Sequence, residues 1–295
     1  MKQQRSAKLS IVTSMVIFGT IGLFVRHVSL PSSLIALVRG VIGVAFLLIV
    51  MKLRGLRLNR TGIRHNLVLL LISGAAIGFN WILLFESYRY TSVAVSTLCY
   101  YMAPILVIAA SPLILKERLT GFKLLCVVAA LFGMVLVSGV LQSGGISGRD
   151  ITGILFGLSA AVLYASVVLM NKHLHDISAF DRTVMQLGVS AVTLIPYCLL
   201  TVDGSALHVD GLAVGLLIVM GIVHTGLAYF LYFGAMDHVS GQSAALISYV
   251  DPVVAVLISV FLLREPMNAA EMIGAVLVIG AAFCSEMPGK AGEQL

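Results

Sequence analysis

Residues 98–121 read LCYYMAPILVIAASPLILKERLTG, and residues 246–269 read LISYVDPVVAVLISVFLLREPMNA. At an offset of 148 the two stretches align without a gap. Tyr101 falls on Tyr249, Pro104 on Pro252, Ser111 on Ser259, Leu115 on Leu263 and Glu117 on Glu265. Each is an apolar run broken by a proline and closed by a basic–acidic pair. One position differs in kind: Ala103 precedes the first proline and Asp251 the second.

The repeat extends outward. FESYRYTSVAVSTLCYYMAP at 85–104 aligns with FGAMDHVSGQSAALISYVDP at 233–252, and Gly78 with Gly226. More weakly, IFGTIGLFVRHV at 17–28 resembles LYASVVLMNKHL at 163–174. The chain of 295 residues is 59% hydrophobic and 11% charged, with a mean hydropathy of +1.05. A helix needs about 20 apolar residues to cross a bilayer, and such windows recur along the whole sequence. They are continuous rather than alternating, which excludes a closed β-barrel. The expectation is an all-α polytopic membrane protein. The N-terminal apolar run is too long for a leader, with no small-residue cleavage site, and reads as the first span.

Ten spans are predicted, at roughly 9–27, 33–53, 66–88, 92–115, 120–141, 151–173, 182–201, 211–235, 240–263 and 268–286. Breaks such as SLPSS (29–33), KLRGLRLNRTGIR (52–64) and HLHDISAFD (173–181) separate them. With the N-terminus inside, 14 Lys and Arg residues fall on cytoplasmic segments and 4 on the other side. That bias places both termini in the cytoplasm of a multi-pass protein of the plasma or inner membrane. The net charge of +6 is therefore a topological signal, not a sign of a nucleic-acid partner. Residues 9–141 form a first repeat and 151–286 a second, with short termini at 1–8 and 287–295. Five spans per repeat force the second copy to enter the membrane from the opposite side. Inverted repeats of this kind build secondary transporters, with sites near the midplane between them. Alternating access is then expected as rocking of one half against the other. The paired prolines, Pro104 and Pro252, kink their helices and free carbonyls that can line a cavity.

The five-plus-five inverted repeat, Arg39 within span two, and the Pro-then-Glu pattern of spans four and nine resemble the drug/metabolite transporter superfamily. The EamA-type branch, with its amino-acid and metabolite exporters, is the most similar. The resemblance covers nearly the whole chain and implies a central cavity lined by spans one, three, four, six, eight and nine. It also implies transport of amino acids, nucleotide sugars, sugar phosphates or other small metabolites.

Asp251 is the first candidate for substrate binding. A carboxylate deep in a span is expensive unless it faces a polar cavity or a partner, and this one adjoins the kink at Pro252. Glu86 is the second, with two readings: a substrate group, or an interfacial ion pair with Arg89 three residues on. Asn80 and Trp81 on span three, Tyr229 at the position matching Trp81, and His224 one turn before Ala228, the match for Asn80, are further candidates. Tyr100, Tyr101 and Tyr249 sit near the two kinks; aromatic groups with a polar tip suit a small amphipathic solute. Tyr164, Asn171 and Gln242 are weaker candidates. Arg39 lies on a helix that the resemblance keeps away from the cavity, and is expected to pair with a helix end or an acid. Glu117 and Glu265 are read as capping the helix that follows each of them. Small-residue pairs at Gly74–Gly78, Gly153–Gly157 and Gly211–Gly215 allow close helix approach, within one chain or in a homodimer.

No Walker A motif is present, so ATP does not drive the protein directly. Cys99, Cys126, Cys198 and Cys284 have no metal-ligand spacing and read as packing residues. No cofactor or metal and no catalytic residue is expected. An intramembrane enzyme would need a convergent nucleophile, base or metal set, and the only crowded stretch, KHLHD at 172–176, is a loop. The expectation is a non-enzymatic transporter of a small molecule: an amino-acid or related metabolite exporter, with a nucleotide-sugar or other polar-metabolite permease as the alternative. Its partners are that solute and membrane lipid, and it is a monomer or homodimer.

Overall fold

The computed structural model describes residues 2–91, 93–137, 150–203, 209–262 and 269–285, and every regular element in them is a helix. An apolar chain in lipid must satisfy its backbone internally, and helices do this within each segment. The first repeat contains α1 (Lys2–Val25), α2 (Ser32–Leu53), the short α3 (Arg60–His65), α4 (Leu67–Tyr90), α5 (Val93–Tyr100), α6 (Ala103–Ile114) and α7 (Gly121–Val137). The second contains α8 (Asp150–Asn171), α9 (Ala179–Thr201), α10 (Gly211–Val219), a π-helix (Met220–Leu227), α11 (Ala228–Ala235), α12 (Gly241–Ile247), α13 (Val250–Phe261) and α14 (Ala269–Ser285). Among the described residues these make ten passes, with α5–α6, α10–α11 and α12–α13 each forming one. Seven are long and apolar enough by length and composition to cross a membrane. Leu199, Leu200, Phe132, Leu125 and Val276 are exposed on outer faces, as lipid contact requires.

The sequence expectation differs from the structure in several places. Helix α1 continues back through the basic lead-in, whose Lys, Gln, Arg and Ala are good helix formers, and Gln3 reaches His238 at 3.2 Å. The basic stretch after α2 holds a short helix, α3, capped by Asn59, whose Oδ1 accepts from the Gly62 amide at 3.0 Å. The prolines do not bend continuous helices. The chain opens before them, at Tyr101–Met102 and at Ser248–Tyr249, and each proline sits in the first turn of the next helix, where a missing N–H is harmless. Leu263, Arg264 and Glu265 lie outside the described residues.

Shifted by 148, the elements of one repeat fall on those of the other; α7 and α14 coincide, both with 17 residues. The packing, however, does not follow the sequence halves. α1 lies against α13, α11 and the π-helix of the other repeat, and its counterpart α8 lies against α6, α5 and α4. The two main helix groups are therefore assembled across the repeats. On one flank α2 pairs with its counterpart α9; on the other α7 pairs with α14. Glycines set these distances. A Cβ at Gly78 would come within 2.7 Å of Thr193 Cβ, and one at Gly74 within 2.7 Å of Val189 Cβ, which seats α4 on α9. Gly153 and Gly157 seat α8 on Thr91 and Cys99 in the same way, while nothing lies within 4 Å of Gly211 or Gly215.

Candidate functional site

The two helix breaks meet at the centre of the molecule. Asp251 stands in the first turn of α13, immediately after one break, and is half-buried. Helix α1 backs it closely: a Cβ at Gly19 would lie 2.6 Å from the Asp251 carbonyl oxygen. The Tyr101 side chain, from the other break, is a close polar neighbour of the Asp251 carboxyl. Tyr88, Tyr100 and Tyr229 lie within electrostatic reach of it. Tyr249 is fully buried and donates its hydroxyl to the Tyr101 carbonyl at 3.1 Å. The carbonyl freed by one break is thus satisfied by a side chain from the other. No Lys or Arg forms an ion pair with Asp251 among the described residues.

The wall facing α4 and α11 is aromatic. Trp81 and Tyr229, which match in the repeat, meet edge to face with centroids 6.2 Å apart, and Phe18 of α1 meets Tyr229 at 5.1 Å. Asn80 is buried and donates to the Ala160 carbonyl at 2.6 Å, while Tyr100 donates to its Oδ1 at 3.4 Å. The other group carries the equivalent tie: Ser14 of α1 donates to the carbonyl of Ala228, the counterpart of Asn80, at 2.8 Å. Tyr164 of α8 completes the wall, 5.7 Å from the Tyr100 ring. His224 is buried in the π-helix, 2.9 Å from Thr20 Oγ1 and edge-on to Phe24 at 4.7 Å. π-Helical turns inside α-helices occur often at functional sites because they re-aim side chains. Here Gly221 and Gly226 admit Ile42 and Phe46 of α2 against that segment.

Arg39 belongs to this wall, contrary to the expectation from sequence. Its guanidinium carbon lies 4.8 Å above the Trp81 ring. Among the described residues neither an acid nor a helix end receives it, and its buried Nε has no hydrogen-bond partner. It lies within electrostatic reach of Tyr100, Tyr229 and His224. Sequence reasoning also passed over Tyr88. It lies seven residues after Trp81, two turns along the same face of α4, and that spacing was the available signal.

Glu86 is placed elsewhere. Arg89 donates to its two oxygens at 3.0 and 3.2 Å, and Tyr197 of α9 donates to Oε1. The local ion pair anticipated for it is formed, and its partners are not the residues around Asp251.

At the end of the molecule near the start of α1, polar ties link the groups. The Glu117 carboxylate accepts from the amides of Gly241 at 2.6 Å and Gln242 at 3.1 Å, so it caps α12 of the other repeat rather than the following α7. Gln242 donates to Ser111 at 2.7 Å and accepts from Lys123 at 2.9 Å, which places it in this tie and not in the central wall. Lys172 donates to the Met236 and Val239 carbonyls, both at 2.6 Å. Arg182 donates to the Phe233 carbonyl and to both oxygens of Asp237, each at 3.0 Å. Among the described residues Asn171, by contrast, bonds only along its own helix, to the Val167 carbonyl at 2.9 Å.

The profile of the EamA-like transporter family matches residues 5–139 and again residues 151–286. The chain belongs to the EamA-like transporter family. Relatives of this EamA-like protein are themselves known by name only as transporters. One, the uncharacterized transporter YxxF of Bacillus subtilis (strain 168), is 28% identical over 277 residues, which are 94% of this chain and 88% of that one. An uncharacterized transporter of Archaeoglobus fulgidus is 28% identical over 286 residues, 95% of this chain and 96% of that one. A solved crystal structure superposes with a TM-score of 0.85 over 95% of this chain and 97% of the other, at 18% identity, and so shares the fold. Membership in the drug/metabolite transporter superfamily follows, and the molecule is a multi-pass membrane transporter.

Proposed function

We propose that this EamA-like protein is a secondary transporter exporting an amino acid or a related small metabolite by alternating access around Asp251. The observation that carries the reading is the placement of that carboxylate. It is half-buried, has no cationic partner among the described residues, and lies where the α1–α11–α13 group meets the α8–α4–α6 group. An acid at such a position binds a cationic group or a proton, and either role couples occupancy to the fit between the groups. Because each group draws on both repeats, the moving units are these groups rather than the sequence halves. The ties around Glu117, Arg182 and Lys172 close one end, and opening that end requires their release. The Lys and Arg asymmetry supports assigning it to the cytoplasmic side of the cell membrane.

The test is transport by the purified full chain in proteoliposomes, with labelled aromatic, branched and small amino acids and a nucleotide sugar. Saturable amino-acid flux that falls at least tenfold in folded Asp251→Asn supports the proposal. Flux of the nucleotide sugar alone would replace the amino-acid reading with a permease for that class.

A further inference from the structure

We infer that the central site takes a dipolar substrate, its cationic end at Asp251 and its anionic end at Arg39. The inference rests on the transporter reading and deepens it.

Three observations carry it. First, neither charge has a counterion among the described residues. There Arg39 has no carboxylate partner and a buried, unpartnered Nε, and Asp251 has no cationic partner. Opposite charges within membrane-spanning helices ordinarily pair with one another. Here they do not pair: Tyr100 and Tyr229 lie within electrostatic reach of both charges, and Trp81 lies under the guanidinium.

Second, the support of each charge leaves a binding edge. The Trp81 ring supports the guanidinium by a cation–π contact at 4.8 Å, which does not use its N–H groups. A planar guanidinium so supported presents a fork that matches a carboxylate. Asp251 has the Tyr101 side chain as a close polar neighbour, and its carboxylate oxygens offer several acceptor sites. Both residues are half-buried rather than sealed.

Third, the repeat is broken at these two positions. The counterpart of Asp251 is Ala103, and the counterpart of Arg39 is Leu187. Each repeat contributes one charge, of opposite sign, where the other contributes a buried apolar residue. A neutral or singly charged solute has no use for two unlike poles. A molecule with an ammonium at one end and a carboxylate at the other does.

The experiment uses the full chain in proteoliposomes. Three labelled zwitterions of increasing charge separation serve as probes: phenylalanine, γ-aminobutyrate and alanyl-phenylalanine. Their singly charged analogues serve as competitors: phenethylamine and phenylpropionate, butylamine and butyrate, and alanyl-phenylalanine amide and N-acetyl-alanyl-phenylalanine. At least one zwitterion is expected to bind tenfold or more tightly than its own singly charged analogues. Arg39→Gln is expected to reduce that zwitterion to the level of its amine, and Asp251→Asn to the level of its carboxylate. Arg39→Lys keeps the charge without the fork and is expected to fall between. Should Arg39→Gln not fold, the analogue comparison on the wild type and Arg39→Lys decide the matter. Singly charged analogues that bind the wild type as well as the zwitterions do would overturn the inference and leave a transporter. Absence of saturable flux for every solute would overturn the transporter reading and this inference with it.

Discussion

Tyr249 donates its hydroxyl to the backbone carbonyl of Tyr101, 3.1 Å away, and Tyr101 is its own counterpart in the repeat. A contact between equivalent positions lies beside the axis relating the two repeats. The exchange is not reciprocal among the described residues: the Tyr101 hydroxyl makes no matching bond to the Tyr249 carbonyl and is instead a close polar neighbour of Asp251. Tyr249→Phe leaves a carbonyl at the helix break without its donor, at a cost of about 1–2 kcal/mol. Thermal unfolding in detergent is expected to show a loss of a few degrees. An unchanged midpoint would mean that water or a backbone shift replaces the bond.

Gly19 and Gly22 provide a paired test of how α1 backs the acid. A Cβ at Gly19 meets the Asp251 carbonyl and Val254 at 2.6–2.7 Å, whereas nothing lies within 4 Å at Gly22. Gly19→Ala overpacks the contact, costing about 1–3 kcal/mol, and is expected to impair transport. Gly22→Ala is expected to be neutral in both. Equal effects of the two changes would contradict the packing of α1 on α13.

The buried ion pair predicts an asymmetry. Arg182 is 1% exposed at its side chain and Asp237 44%. Removing Asp237 strands a buried cation, which costs about 3–5 kcal/mol. Arg182→Leu leaves an acid that water can reach. Asp237→Ala is therefore expected to unfold at a lower temperature than Arg182→Leu, and the reverse order would sink the argument.

Glu117 holds α12 from the opposite repeat through two amides. Glu117→Gln removes the charge from that helix N-terminus, a loss of about 1 kcal/mol. In a cysteine-free background carrying Ser111→Cys, thiol labelling is expected to be several-fold faster when Glu117→Gln is added. Identical rates would show that the tie does not hold this end closed.

The span order was legible because an offset of 148 relates the later spans of both repeats, and the apolar runs alone mark where helices must lie. Asp251 was legible because an acid inside an apolar run has few harmless explanations. Arg39 was misjudged: its partner is a ring stacked across helices, and an aromatic residue 42 positions away gives no signal in sequence. The target of Glu117 was hidden for a different reason. The chain takes a left-handed turn at Lys116, with φ 57°, before Glu117, and local spacing cannot reveal such a reversal. Nor does periodicity separate a π-helix from an α-helix over eight residues.

The crossed packing of α1 also dictates an order of events during synthesis. α1 leaves the ribosome long before its partners α11 and α13 are made. Until then the face carrying Ser14 and Gly19 has no native cover. The first repeat, fully inserted, is still an unfinished object. Its closure waits for a chain segment not yet translated, so assembly is governed by long-range contacts and is correspondingly slow. A ribosome that stalls in the second repeat leaves behind a membrane-embedded fragment for quality control, not a working half.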